Sequence, residues 1–252
     1  MITVAAVQHD IVWEDPAANF AALAPRVEAA AADGARLVVL AEMFSTGFSM
    51  RSDVIAEPAD GASATWLVEQ ASRHGVWIGG SIPERRDGTL PTNTFVLAAP
   101  DGTTHRYAKV HPFSYAREHE HYAAGDRVDT IDVDGVRVTP FICYDLRFVD
   151  LFWDAAAATD LYLVPANWPA ARRHHWCTLL RARAIENQAY VVGVNRVGSA
   201  GRLDYVGDSC ILDPLGDEVA VAEPGVEQTL LGTVDPDVVA DVRARFPFMA
   251  DR

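Results

Sequence analysis

Val138-Thr139-Pro140-Phe141-Ile142-Cys143-Tyr144-Asp145-Leu146-Arg147-Phe148 is the stretch on which the reading of this sequence turns. An apolar run rich in β-formers, Val138 to Ile142, stops at the cysteine. Leu146, Val149, Leu151, Phe152 and Trp153 then follow with helical spacing. The pattern predicts Cys143 at a strand-to-helix corner. Such a turn lifts the thiol out of the sheet, and the N–H groups and dipole of the following helix favour a thiolate and any oxyanion formed beside it. A free cysteine after a hydrophobic strand is also commonly a small buried hydrophobe, so this stretch alone leaves nucleophile and packing both open.

Outward from that corner the chain alternates strands and helices. Residues 2 to 7 are β-rich, and Asp15-Pro16 supplies an N-cap and a first-turn proline for an Ala-rich helix running to about Asp33-Gly34. Leu37 to Leu40 reads as a strand buried on both faces, with Glu42 directly at its end. A helix from about Ala62 to His74 and a strand from Val76 to Ser81 repeat the β-α-β order, which argues a layered α/β sheet. Asn93 to Ala98, a turn at Pro100-Asp101-Gly102 and Thr103 to Tyr107 then predict a hairpin, with Lys109 just past it. Val110 to Arg127 has no periodicity and is long for a connection inside a domain, a length that usually signals function. Val128 to Val133 and Val136 to Ile142 read as strands leading to Cys143. After them come a helix to Ala158, a strand Leu161 to Val164, a helix from about Ala171 to Gln188 and a strand Tyr190 to Val194. Residues 203 to 234 predict three antiparallel strands, and residues 235–252 a C-terminal tail whose Phe246, Phe248 and Met249 need a surface to cover.

Composition bounds the rest. The 252 residues are half hydrophobic, without linker, low-complexity block or repeat, and predict one domain spanning 1–252. A net charge of −14 with no basic face argues against nucleic acid and anionic membrane as partners. Met1 to Gln8 lacks the features of a signal peptide, no window reaches the ~18 apolar residues of a membrane span, and Cys143, Cys177 and Cys210 are an odd, widely spaced set. Together these predict a cytoplasmic protein with free thiols.

Glu42 ends a buried strand, at the edge where open α/β sheets place ligands, although a solvated cap reads equally well there. Lys109 has only its position to recommend it. The three side chains together form a complete acyl-transfer set: a thiol, a carboxylate to take its proton, and an ammonium to hold a developing oxyanion. His119-Glu120-His121 and His174-His175 lack metal-site spacing, so no metal is expected. No Gly-rich strand-to-helix turn offers a phosphate cradle.

Glu42 in Ala41-Glu42-Met43-Phe44-Ser45-Thr46-Gly47-Phe48, Lys109 in Tyr107-Ala108-Lys109-Val110-His111-Pro112-Phe113, and Cys143 in its own stretch resemble the Glu-Lys-Cys motifs of the nitrilase superfamily of carbon–nitrogen hydrolases. Matches at Ala5 to Gln8, Glu118 to Tyr122 with Gly125, Asn167-Trp168-Pro169, Arg181 to Gln188, Asn195 to Gly198 and Gly207 to Ser209 extend the similarity over nearly the whole chain. The resemblance implies a four-layer α-β-β-α sandwich that pairs into a homodimer, with no cofactor. It further implies Glu42 as general base, Lys109 with the Tyr144 backbone N–H as oxyanion donors, and Glu118 as an additional active-site glutamate. The motifs around Glu42 and Glu118 are most similar to the omega-amidase branch, which hydrolyses the terminal amide of short α-keto dicarboxylic monoamides; Pro112 stands where that branch usually has leucine. Arg147, close after the nucleophile, is the candidate carboxylate clamp, with a structural ion pair to Asp145 or Asp150 as its alternative. Phe44, Phe48, Tyr115, Asn167 and Trp168 are candidate pocket walls. A broader aliphatic amidase or nitrilase, an acyl transferase using the same thioester, and a catalytically silent scaffold are the competing readings.

Overall fold

The structure is a computed structural model and describes residues 1–251. The strands Ile2–Gln8 (β1), Leu37–Val39 (β2) and Trp77–Glu84 (β3) run parallel, and the antiparallel strands Thr92–Ala98 (β4) and Thr104–Ala108 (β5) continue the sheet from β3. The second half repeats this plan. Ile131–Val133 (β6) pairs antiparallel with Val136–Pro140 (β7), which runs parallel to Leu161–Ala166 (β8), and β8 parallel to Tyr190–Asn195 (β9). Val197–Ala200 (β10) and Leu203–Val206 (β11) form a separate hairpin. Cys210–Leu212 (β12) and Glu218–Val221 (β13) extend the second sheet from β9, and Gln228–Val234 (β14) returns to pair antiparallel with β1. The sheet orders are β14-β1-β2-β3-β4-β5 and β13-β12-β9-β8-β7-β6. Each sheet thus has three parallel central strands, two antiparallel strands on one side and one on the other.

Helices cover the outer faces. Pro16–Ala32 (α1) starts as its sequence dictates, the Asp15 carboxylate accepting the Ala18 N–H at 3.0 Å. After the short turn Ser52–Ile55 (α2), Ala62–His74 (α3) stops at Gly75, which takes the left-handed conformation (φ 66°) of a C-terminal cap. Leu23 and Val27 of α1 and Leu67 and Ala71 of α3 bury Ala5, Val7, Val38 and Ile78 on one face of the first sheet. The opposite face, with Val4, Ala6, Leu37, Val39 and Leu97, packs on Val138, Leu163 and Val192 of the second sheet. Beyond the second sheet lie Val149–Ala155 (α4) and Arg173–Asn187 (α5), whose Trp176 and Leu180 would collide with a Cβ at Gly193. The layers are therefore α-β-β-α. Both faces of β2 are covered, which is why Leu37 to Val39 read as an unbroken apolar run.

Three segments differ from the sequence reading. Residues 203 to 234 hold four strands rather than three, because β11 leaves the sheet to pair with β10. The predicted tail folds as Pro236–Arg245 (α6), capped by Asp235, whose carboxylate accepts the Asp237 N–H at 3.1 Å. Arg243 docks that helix by donating to the carbonyls of Ala156, Thr159, Asn187 and Gln188. Phe248, by contrast, remains 63% exposed. The segment after Cys143 begins as a 3-10 turn, Cys143–Arg147, before α4.

Candidate active site

The C-terminal ends of the parallel strands in the two sheets meet at one place. Glu42 follows β2, Cys143 follows β7 and Asn167 follows β8, while Lys109 leaves the antiparallel β5 alongside. Asn167 stitches the sheets together: its backbone N–H donates to Glu42 Oε2 at 2.8 Å and its Nδ2 to the Glu42 carbonyl at 2.6 Å.

Lys109 is 1% exposed between two fully buried carboxylates. Its Nζ lies 2.9 Å from Glu42 Oε1 and 3.0 Å from Glu118 Oε2. Asn93 Nδ2 donates to both glutamates, at 2.9 Å to Glu42 and 3.2 Å to Glu118. The Phe113 N–H also donates to Glu118. Burial alone would strip the proton from Lys109, yet the Glu118 and Glu42 carboxylates more than reverse this and hold it well above the ordinary lysine range. Burial raises the Glu118 carboxyl, Lys109 opposes the rise and Glu42 adds to it. One ammonium thus serves two acids in a site without bulk water.

Cys143 sits at φ +46°, a left-handed conformation that costs a non-glycine residue energy and turns its sulfur toward the cluster. Asp145 stabilises that turn: buried, it accepts from the Ile142 N–H (3.0 Å), the His111 N–H (2.9 Å) and the Tyr107 hydroxyl (2.8 Å). The first N–H closing the 3-10 turn is that of Asp145, onto the Ile142 carbonyl, so the Tyr144 N–H ahead of it is not consumed by the turn. The sequence predicts a helix dipole that favours thiolate. Desolvation instead pushes the Cys143 thiol well above its ordinary pKa, the Glu42 carboxylate pushes the same way, and Lys109 pulls against them. One short turn offers too little dipole to offset that desolvation. These influences favour the neutral thiol beside Glu42.

Cys143 lines a small cleft of about 70 Å³ with Phe48, Phe113, Tyr144, Asn167, Trp168 and Tyr205, and Arg147 and Arg172 are among its other lining residues. Of the predicted walls, Phe48, Asn167 and Trp168 are in place, as are Tyr144 and Arg147. Phe44 is not: it is fully buried on the outer side of the first sheet, its ring 5.6 Å from Trp66 and 6.2 Å from Phe20. Two residues beyond Glu42 the backbone has already carried its side chain to the helix-facing layer. Tyr115 is 85% exposed and lines no part of the cleft; its neighbours Phe113 and Ala116 do. Arg147 makes no ion pair with Asp145 or Asp150; its guanidinium lies over Trp168 (4.8 Å) and donates to His175 Nδ1 at 3.1 Å. Sequence reasoning missed Asn93, Arg172 and Tyr205. Asn93 could have been noticed as a polar residue on an otherwise apolar buried strand, whereas Tyr205 arrives on a hairpin that no pattern announced. No three-residue metal cluster occurs among the described residues; His119, His174 and His175 are exposed.

A four-layer sandwich carrying a buried Glu-Lys-Glu cluster beside a cysteine is the plan of the nitrilase superfamily. The carbon-nitrogen hydrolase family model matches residues 3–244, and the chain belongs to that family. It is 42% identical to omega-amidase YafV of Yersinia enterocolitica over 97% of this chain and 94% of the relative, and 32% identical to 2-oxoglutaramate amidase of Bacillus subtilis over 99% and 96%. Its fold matches XC1258 of Xanthomonas campestris, a CN-hydrolase superfamily protein with an arsenic adduct in the active site, with a TM-score of 0.93 at 39% identity, covering 100% of this chain and 97% of that one. The chain is accordingly an enzyme, a carbon–nitrogen hydrolase.

Proposed function

We propose that the protein is an omega-amidase, hydrolysing the terminal carboxamide of short α-keto dicarboxylic monoamides such as 2-oxoglutaramate to acid and ammonia. The observation that carries this reading is the buried cluster of Glu42, Lys109 and Glu118 beside Cys143, which lines a cleft together with Arg147 and Arg172, neither of them paired with a carboxylate among the described residues. The named activities of the Yersinia and Bacillus relatives support the substrate class.

Glu42 takes the thiol proton as the Cys143 sulfur bonds to the amide carbon, so the neutral resting thiol becomes a nucleophile only on attack. The electron pair of the carbonyl moves onto oxygen, where Lys109 Nζ and the Tyr144 N–H receive it; each such donor is typically worth about 3 to 4 kcal/mol. The C–N bond then breaks as Glu42 returns the proton to nitrogen, and ammonia leaves a thioester. Water, deprotonated by Glu42 and oriented with Glu118, attacks the thioester; acid departs and the sulfur recovers its proton. Fixed positive charge at Lys109 supports every anionic stage without metal or organic cofactor. Arg147, held over Trp168, binds the distal carboxylate.

The protein is further read as one domain acting in the cytoplasm as a homodimer, and the exposed Phe248 is an apolar surface that pairing would cover. Sedimentation at micromolar concentration tests the dimer. Ammonia release from 2-oxoglutaramate, simple aliphatic amides and nitriles tests the chemistry: turnover fastest on the α-keto monoamide and abolished by Cys143→Ala in a folded protein is expected. Silence toward every amide would leave a scaffold, and acceleration by added amine would indicate acyl transfer.

A further inference from the structure

We infer that Arg172 and Tyr205 complete, with Arg147, a cationic site that reads the 2-oxo acid end of the substrate. The inference rests on the omega-amidase reading and assigns the residues that make the α-keto end preferred.

The cleft above Cys143 has three polar groups without an acidic partner. Arg147 and Arg172 line it, and neither forms an ion pair with an aspartate or glutamate among the described residues, although the protein carries fourteen more acidic than basic side chains. The adjacent Arg173 behaves ordinarily and pairs with Asp208 at 2.8 Å. Arg172 is fixed where it stands, since its carbonyl accepts the Trp168 Nε1–H at 2.8 Å and its guanidinium lies 5.5 Å from the Phe113 ring centre. Tyr205, only 6% exposed, enters the cleft from β11, and its hydroxyl has no hydrogen-bond partner among the described residues. Behind its ring stands the fully buried Arg196, 4.8 Å from the ring centre.

Two guanidinium groups can only donate, and burial keeps the Tyr205 phenol protonated and able to donate, although Arg196 and Arg172 pull the other way. No aspartate or glutamate lines the cleft. A 2-oxo carboxylate offers such a site acceptors only: two carboxylate oxygens and a ketone oxygen. An α-amino carboxylate presents an ammonium at the ketone's place, where it meets the like charge of Arg147 and Arg172. The wall therefore favours the keto acid over the amino acid of the same length, through Arg172 and Tyr205 as well as Arg147.

The test is the ratio of kcat/KM for 2-oxoglutaramate to that for L-glutamine in Arg172→Gln, Arg172→Lys, Tyr205→Phe and the charge-matched control Arg173→Gln. Arg172→Gln should lower the ratio about ten- to hundredfold, the range of a lost charge-assisted hydrogen bond, with the change carried by KM for the keto acid. Tyr205→Phe should lower it about two- to tenfold, Arg172→Lys should recover part of the loss, and Arg173→Gln should move it less than about twofold. Inhibition of the unmodified enzyme by products gives a second measurement that needs no variant: 2-oxoglutarate should compete more tightly than glutarate, and glutarate more tightly than L-glutamate. An unchanged ratio in Arg172→Gln while 2-oxoglutaramate is still hydrolysed, or L-glutamate inhibiting as well as 2-oxoglutarate, overturns this assignment and leaves the omega-amidase reading standing. Failure of the unmodified enzyme to prefer 2-oxoglutaramate over simple amides overturns both.

Discussion

Replacing Lys109 by Met isolates the electrostatic logic of the site, because an apolar stem is retained while the cation between two buried carboxylates, its Nζ 5.1 Å from the Phe48 ring centre, is lost. Glu42 and Glu118 around one ammonium leave a single net negative charge; without Lys109 two negative charges share a dry space. Removing one partner of a buried pair typically costs about 3 to 5 kcal/mol. In a domain of this size each kcal/mol moves the melting temperature by roughly 2 to 4 °C, so Lys109→Met should melt some ~6 to 20 °C lower at pH 7.5. The deficit must also depend on pH. Burial already raises the Glu118 carboxyl, and losing Lys109 raises it further. An acid whose folded pKa exceeds its unfolded one contributes stability that is fully present below the unfolded pKa and lost as pH rises through the folded pKa, about 1.4 kcal/mol for each pH unit separating the two. The variant should therefore lie nearest the parent at pH 5 and furthest at pH 8. Scanning calorimetry at intervals across that range measures both effects, and Lys109→Met/Glu118→Gln should recover part of the loss by restoring a single negative charge. A single variant melting within about 2 °C of the parent at every pH would refute the claim that Lys109 neutralises both glutamates.

Asp145→Asn places an amide nitrogen among three donors, those of Ile142, His111 and Tyr107, and should cost about 1 to 3 kcal/mol in urea denaturation while lowering kcat more than KM, because the cysteine turn loosens. Alkylation of Cys143 by iodoacetamide, followed on its own peptide by mass spectrometry, should keep rising to at least about pH 9 without a plateau, since burial holds the thiol well above its usual pKa; saturation near neutrality would mean a resting thiolate. Burial lowers His9 to about 4. A base with a depressed folded pKa is fully stabilising above its unfolded value near 6.5 and loses that contribution as pH falls toward 4, roughly 3 kcal/mol in all, so His9→Gln should flatten the acid limb of the stability curve between pH 6.5 and 4.

The parallel core was legible because strands buried on both faces leave short continuous apolar runs: Leu37 to Val39 and Leu161 to Val164 announced β2 and β8, and Asp15-Pro16 announced α1. Glu42, Lys109 and Cys143 were legible as polar or nucleophilic residues standing where such runs end. What failed did so for physical reasons. The signal Asp235-Pro236 is the same as Asp15-Pro16, but four charged residues interrupt the valines and alanines of α6 and only Val239 is buried, so no apolar stripe confirmed the helix. Phe44 and Tyr115 were expected in the cleft because they flank site motifs, yet a turn reverses side-chain direction within two residues, and neither composition nor spacing records where a turn points. Nor could the sequence reveal that desolvation raises the Cys143 thiol, since that depends on how much water the assembled site excludes.

Glu42 and Asn167 follow the middle parallel strands, β2 and β8, of two sheets built to the same plan, and they are hydrogen-bonded to each other across 125 residues of chain. Equivalent places in the two halves therefore hold unlike groups: one contributes a carboxylate, the other the N–H that fixes that carboxylate beside the nearby sulfur. Cys143 belongs to the second sheet, while Glu42 and Lys109 belong to the first. Neither sheet alone assembles this cluster; the packing of Val4, Leu37 and Leu97 against Val138, Leu163 and Val192 brings the carboxylate and the sulfur together. The same apolar layer that supplies stability thus also disfavours a charged sulfur, pushing the Cys143 thiol above its ordinary pKa beside the Glu42 carboxylate.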